Sequence, residues 1–253
     1  MKTFHADQLT VQIYETRDAM GRAAAADIRA CILRLLAQKP TIRMIFAAAP
    51  SQNETLAALA AYDDIDWTRI HAFHMDEYIG LPEAYRDRSF GHYLTQHIFG
   101  RVPFRSVNLI DCTAQNPDAE CARYAALLAE SPIDIVVMGI GENGHIAFND
   151  PWVADFADSR AVKVVQLDAV CRQQQVNDGC FPAIDCVPTH AMTLTCPTLA
   201  ATAYQFCVVP GATKAAAVRR TVYGAIGAEC PATILRRLPN AALYLDGDSA
   251  AQL

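Results

Sequence analysis

The run Ile133-Asp-Ile-Val-Val-Met138, followed by Gly139-Ile-Gly-Glu-Asn-Gly-His-Ile-Ala-Phe-Asn-Asp150, decides the fold. Its first half is a short, almost uninterrupted apolar segment ending in turn residues. That is the pattern of a strand buried on both faces, as in a parallel sheet. The glycines at 139, 141 and 144 then force a tight turn that lets the backbone approach a ligand. Asn143, His145 and Asp150 crowd into the same turn. Polar side chains just past the carboxyl end of a parallel strand lie where open α/β sheets bind their ligands.

Outward from this segment, strand-like and helical patterns alternate. Residues 18–38 read as a helix ended by Pro40, and residues 41–49 as a strand. A helix over 54–62 leads to a strand over 69–74, a polar loop and a helix over 89–99. A further helix covers 116–130 and precedes the strand at 133–138. Beyond the glycine turn, 161–167, 190–195, 203–209 and 241–246 read as strands, with a helix over 213–223. The expected fold is α/β: a Rossmann-like open, mostly parallel sheet with helices on both faces. No linker, repeat or low-complexity segment interrupts it, so residues 1–253 are expected to form one domain.

Composition narrows the function classes. The net charge is −6 and no Lys/Arg-rich run is present, which argues against a nucleic-acid partner. No apolar run approaches membrane-spanning length. The nine cysteines are scattered, none in a C-x-x-C pair, and the start of the chain lacks a secretory pattern. They are expected to be reduced core fillers in a cytoplasmic protein. Nothing here decides the oligomeric state, and a homo-oligomer is compatible with all of it.

The glycine turn contains the letters of G-x-G-x-x-G, but Pro151 interrupts the long helix a dinucleotide site requires. A neutral imidazole held in one tautomer shuttles protons near neutral pH, and Asn143 and Asp150 are the candidates to orient His145. Asp76 and Glu77 follow the strand at 69–74; on a turn they are either solvated or directed into the cleft, with Asp76 the candidate general base. His71 and His74 fall on opposite faces of a strand, so no metal site is expected from them. In Pro50-Ser-Gln-Asn-Glu-Thr55 the spacing of Ser51 and Glu54 fits a capping box, and the same helix start offers free N–H groups to an anion. Lys214, at the head of a later helix, is a second candidate ligand for that anion.

Four segments together carry a family resemblance: Met75-Asp-Glu-Tyr-Ile-Gly-Leu81, the turn Gly139 to Asp150, Pro188-Thr-His-Ala-Met-Thr-Leu-Thr195 and Pro210-Gly-Ala-Thr-Lys-Ala216. In this order and over nearly the whole chain they resemble the glucosamine-6-phosphate deaminase (isomerase) family. The wider superfamily includes 6-phosphogluconolactonase, but the forms M-D-E-Y and G-H-I-A-F-N look like the deaminase branch. The resemblance implies conversion of an amino-sugar 6-phosphate to a ketose 6-phosphate and ammonia, with no cofactor and no metal. It implies Asp76 as the base between C2 and C1, His145 as the ring-opening group supported by Asn143 and Asp150, and Lys214 as a phosphate ligand. Ser51, Gln52, Asn53, Gly144 and Glu77 complete the expected substrate-binding set.

This chain departs from the family's pattern in several places. The family usually has Asp at position 143 and Glu at position 150. Its phosphate loop commonly reads P-T-G-G-T-P rather than Pro50-Ser-Gln-Asn-Glu-Thr55, and an arginine expected shortly after Arg172 is replaced by Gln173-Gln-Gln-Val-Asn-Asp178. The basic set near Arg160 and Lys163 that serves an effector site in some members is incomplete, and the terminal segment has no tyrosine. The competing functions are a lactonase, a galactosamine-6-phosphate deaminase and a sugar-phosphate-binding regulator without turnover.

Overall fold

A computed structural model describes all residues, 1–253. The chain runs through β1 (Lys2–Ala6), β2 (Leu9–Ile13), α1 (Arg17–Leu36), β3 (Ile42–Phe46), α2 (Asn53–Ala60) and β4 (Ile70–His74). It continues through β5 (Asp76–Ile79), α3 (Phe90–Leu94), β6 (Ser106–Asn108), α4 (Pro117–Ala129), β7 (Ile135–Met138) and β8 (Val162–Gln166). The last elements are α5 (Ala169–Asn177), β9 (His190–Leu194), α6 (Cys196–Ala200), β10 (Tyr204–Val209), α7 (Ala215–Tyr223) and β11 (Ala241–Leu245).

Eight strands form one sheet in the order β1-β2-β11-β10-β7-β3-β4-β6. Every neighbouring pair is parallel except the β1–β2 hairpin at the edge. The chain winds from β3 outward through β4 to β6, returns to β7, then winds the other way through β10 and β11. The winding direction therefore reverses beside β7. At such a switch point the loops leave the carboxyl ends in opposite directions and open a crevice.

Side chains alternate between two cores. On β7, Val136 and Met138 enter one core while Ile135 and Val137 enter the other. On β10 the division is Cys207 and Val209 against Phe206 and Val208. Helices cover both faces. Met20, Ile28 and Ile32 of α1 and Leu56 and Leu59 of α2 lie on one side. Tyr124 and Leu128 of α4 and Ala217, Val218 and Val222 of α7 lie on the other. The expected fold class is observed.

Two features differ from the expectation. The strands at 161–167 and 190–195 exist but lie outside the large sheet: β5, β9 and β8 form a separate antiparallel sheet in that order. The polar loop expected after residue 74 is β5, so the chain passes between sheets across Met75 alone. The small sheet stands on a third apolar cluster of Tyr78, Phe90, Phe148 and Phe181. Short strands with mixed polarity give no period that reveals their partners, and the same holds for β1, β2 and β6. Six cysteines are buried as expected, while Cys112, Cys180 and Cys186 are partly exposed, and all nine are free.

One buried cation ties the sheet to α4. Arg43 on β3 donates to the main-chain carbonyls of Leu127 and Ser131 and, at 3.0 Å, to that of Leu128. Leu127 and Leu128 lie in the last turn of α4, whose carbonyls run short of helical partners, and Ser131 lies just beyond it. The guanidinium also lies 4.7 Å from the centroid of the Phe73 ring. Replacing Arg43 with Met keeps the aliphatic length and removes every donor. Urea unfolding of the variant is expected to show a loss of about 2–4 kcal/mol, because several carbonyls lose their partner inside the protein. A midpoint equal to that of the native chain would show that water satisfies them instead.

Candidate active site

The crevice beside β7 gathers residues from four strand ends. Ala47, Ala48 and Ala49 follow β3, Met75 and Asp76 follow β4, Gly139 to Gly141 follow β7, and Lys214 lies in the turn after β10. Ser51, Gln52, His145 and Phe148 complete this part of the lining, and α5 closes one side with Gln174, Gln175 and Asp178.

The turn after β7 is shaped around an imidazole. A Cβ on Gly141 would fall 2.2–2.4 Å from three atoms of the His145 ring, so only glycine leaves room for it. Gly144 has φ +91° and a Cβ there would meet Cys230 Sγ at 2.7 Å. It shapes the turn and lies outside the crevice lining. Ala147 also lies in the left-handed region, with φ 48°, an unusual conformation for a residue other than glycine. It faces the crevice between His145 and Phe148.

His145 Nδ1 lies 3.0 Å from Asp150 Oδ1. Asn143 donates from Nδ2 to the same oxygen at 2.9 Å and accepts the His145 main-chain N–H at Oδ1, 3.0 Å. Asp150 is fully buried, yet its carboxyl is held below the usual range: burial alone would raise it, and His145, Asn143 and the Asp168 N–H overcome that. The shorter side chain at position 150 therefore still reaches the imidazole. Cys171 shares this neighbourhood, and its thiol, His145 and Asp150 have ligating atoms within 4.8 Å of one another. Burial pushes the thiol well above its ordinary pKa.

Asp76 and Glu77 are both buried on β5, neither on a solvated turn, and they face opposite ways. Asp76 lines the crevice. Burial pushes its pKa well above the ordinary value, and the neighbouring Glu77 adds to this. Glu77 is turned away. Its carboxylate accepts the N–H groups of Tyr78 at 2.9 Å, Phe90 at 3.1 Å and Gly91 at 2.9 Å, and so holds the start of α3. Burial still pushes it up to about 7. The expectation that Glu77 binds substrate is thus corrected: two adjacent acids on a strand cannot face one ligand.

The loop after β3 divides in the same way. Ser51 and Gln52 face the crevice, and Gln52 is fully buried, donating to Ser51 Oγ at 3.1 Å and to the Val208 carbonyl at 3.2 Å. Asn53 lies outside this lining, and its side chain accepts from the Tyr93 hydroxyl. The capping box does not form: Glu54 pairs with Arg17 at 2.8 Å, and α2 has no side-chain cap. Lys214 is 5% exposed, and its Nζ has no hydrogen-bond partner. Burial lowers its pKa. An unpartnered buried ammonium facing a cavity is costly unless a ligand completes it.

His71 and His74 do not share a ligand: His71 meets Ser106 at 2.8 Å, and His74 Nε2 accepts the Ile110 N–H at 2.7 Å. Lys163 of the incomplete basic set is buried and held by Asp158 and the Val153 carbonyl, each at 2.8 Å. The stretch 173–178, where the family's pattern has an arginine, runs along α5 and brings Gln174, Gln175 and Asp178 to the crevice. Asp168 before the helix carries a capping signal.

A family model for glucosamine-6-phosphate isomerases and 6-phosphogluconolactonase matches residues 15–243. A glucosamine-6-phosphate deaminase of Listeria welshimeri is 35% identical over 206 residues, 81% of this chain and 86% of that protein. One of Bacillus cereus is 32% identical over 212 residues, 84% and 78% of the two chains. Among solved structures, a monomeric glucosamine-6-phosphate deaminase superposes with a TM-score of 0.86 at 27% identity, covering 96% of this chain and 99% of that one. A 6-phosphogluconolactonase of Trypanosoma brucei superposes at 0.79 with 17% identity over the full length of both, a likeness of fold alone. The crevice beside β7, with its His145–Asp150 pair and buried Asp76, is thus carried by a chain that belongs to the family of glucosamine-6-phosphate isomerases and 6-phosphogluconolactonase.

Proposed function

We propose that this protein converts glucosamine 6-phosphate to fructose 6-phosphate and ammonia. The observation that carries the reading is the placement of three groups along one crevice: the unpartnered Lys214 ammonium, the buried Asp76 carboxyl and the His145 imidazole backed by Asp150. The C6 phosphate of the sugar completes Lys214, with Ser51 beside it as a further donor. That contact leaves the ring to extend toward Asp76 and His145.

Ring opening needs one proton removed from the C1 hydroxyl and one delivered to the ring oxygen. His145 serves both steps, since an imidazole can accept and donate in turn and Asp150 stabilises its protonated form. The open chain carries an aldehyde at C1 and an amine at C2. Asp76 takes the proton from C2 as the C1 oxygen gains one, giving an enolamine, and returns it to C1 as the nitrogen loses one, giving an imine at C2. Water adds at C2 and ammonia leaves, producing the ketose. A raised carboxyl pKa suits Asp76 to this work, because a base near the operating pH takes a carbon-bound proton more readily than an ordinary carboxylate. Asn143 and Asp150 keep the imidazole aligned.

Ammonia release is to be measured with glucosamine, galactosamine and mannosamine 6-phosphates, with 6-phosphogluconolactone hydrolysis as the control. Ammonia and fructose 6-phosphate are expected in equal amounts from the glucosamine compound. Lactone hydrolysis with no ammonia from any amino sugar would overturn the reading.

Asp76→Asn is expected to lower kcat by roughly 10²–10⁴-fold with little change in binding. Stability should move the other way. The folded-state pKa of Asp76 lies above its unfolded value. The cost of ionising it in the fold is therefore absent below the unfolded pKa and grows as pH rises through the folded one. The gain in stability of Asp76→Asn over the native chain should be larger at pH 8 than at pH 4.5 in parallel denaturant titrations. An equal gain at both values would mean that Asp76 titrates normally.

Lys214→Ala should raise KM more than it lowers kcat, because a phosphate contact persists in ground and transition states alike. An unchanged KM for glucosamine 6-phosphate would remove Lys214 from the site.

A further inference from the structure

Asn143 lies between two carboxylates. Its Nδ2 donates to Asp150 Oδ1 at 2.9 Å and to Asp168 Oδ2 at 3.3 Å, while its Oδ1 is occupied by the His145 N–H. Only an amide in this orientation satisfies all three neighbours, since a carboxylate has no proton to give either acid. Asp168 in turn caps α5 by accepting the Cys171 N–H, accepts the Trp152 indole N–H at 3.2 Å, and donates its own N–H to Asp150 Oδ2 at 3.5 Å. The helix it caps carries Gln174, Gln175 and Asp178 to the crevice. A second tie, the Glu142 N–H to Gln174 Oε1 at 2.8 Å, joins α5 to the glycine turn.

We infer that Asp168 is a positioning residue for the reaction: acting through Asn143, one carboxylate both seats α5 over the crevice and fixes the Asp150–His145 pair. The inference rests on the deaminase reading for its kinetic test alone. It also accounts for the residue at position 143. Where Asp168 stands opposite, Asp at 143 would bring three carboxylates together, whereas the amide bridges two. The two positions are therefore interdependent, and the amide–acid pair has to be exchanged as a unit.

The test compares Asn143→Asp, Asp168→Asn and the exchanged pair N143D/D168N with the native chain. In Asn143→Asp, acid faces acid; in Asp168→Asn, two NH2 groups face each other while the cap to Cys171 is kept, because Asn caps as well as Asp. The exchanged pair restores one donor and one acceptor between positions 143 and 168, while Asp at 143 still faces Asp150. Each single variant is expected to lose on the order of tenfold or more in kcat with a smaller change in KM. The loss in the pair should be smaller than the product of the two single losses by at least about tenfold, within the coupling range of residues in contact. Multiplying losses in the pair would overturn the inference.

Amide hydrogen exchange over residues 169–177, read without substrate, gives an answer independent of any activity. Exchange should rise in Asn143→Asp, whose substitution is outside the helix, and fall back in the pair. Unchanged exchange in Asn143→Asp would overturn the link to α5. A native chain that released no ammonia would refute the deaminase reading alone, leaving the exchange data to decide this inference.

Discussion

The reversal of winding beside β7 is the constraint on which the rest depends. Parallel strands whose crossovers leave in opposite directions cannot cover the carboxyl ends between them. The uncovered ends belong to β3, β7 and β10, with β4 one strand further out. Each contributes one piece to the crevice: a small-residue loop, a glycine turn with its imidazole, a lysine and an acid. None of these pieces is near the others in sequence except within the glycine turn. Topology, more than local chemistry, assembles them.

That assembly is electrostatically unfavourable in the empty protein. Asp76 is a buried carboxyl beside a second acid, and Lys214 is a buried cation with no partner. A group held in this way gains when a ligand of opposite charge or a proton arrives, which is how strained polar groups mark functional ground. The surrounding fold tolerates them because both faces of the large sheet are packed with apolar side chains. Three charged groups outside the crevice are by contrast matched: Arg43 holds the end of one helix, Glu77 the start of another, and Lys163 meets Asp158 and the Val153 carbonyl.

The large sheet was legible because its central strands are continuous apolar runs at 133–138 and 203–209, with little competing pattern. His145, Asn143 and Asp150 were legible for a different reason: they lie within eight residues of one another, and a tight turn can only bring them together. Legibility fell where spatial neighbours are distant in sequence. Asp168 reaches Asn143 from 25 positions away. Asp76 and Glu77 are adjacent in sequence but face opposite ways, because successive residues of a strand alternate. The S-x-x-E spacing at Ser51 was a sound local signal, overridden when Arg17 offered Glu54 a full charge.

Met75 is the only residue between β4 and β5, and this bears on how such a chain can diverge. Adding or deleting one residue there would slide β5 against β9 by one step and turn every side chain over. A deletion would put Glu77 in the place of Asp76 above the crevice, an insertion would put Asp76 in the place of Glu77, and either way α3 would lose its anchor. The length of the junction at residue 75 thus decides which acid meets the crevice as much as the identity of either acid does.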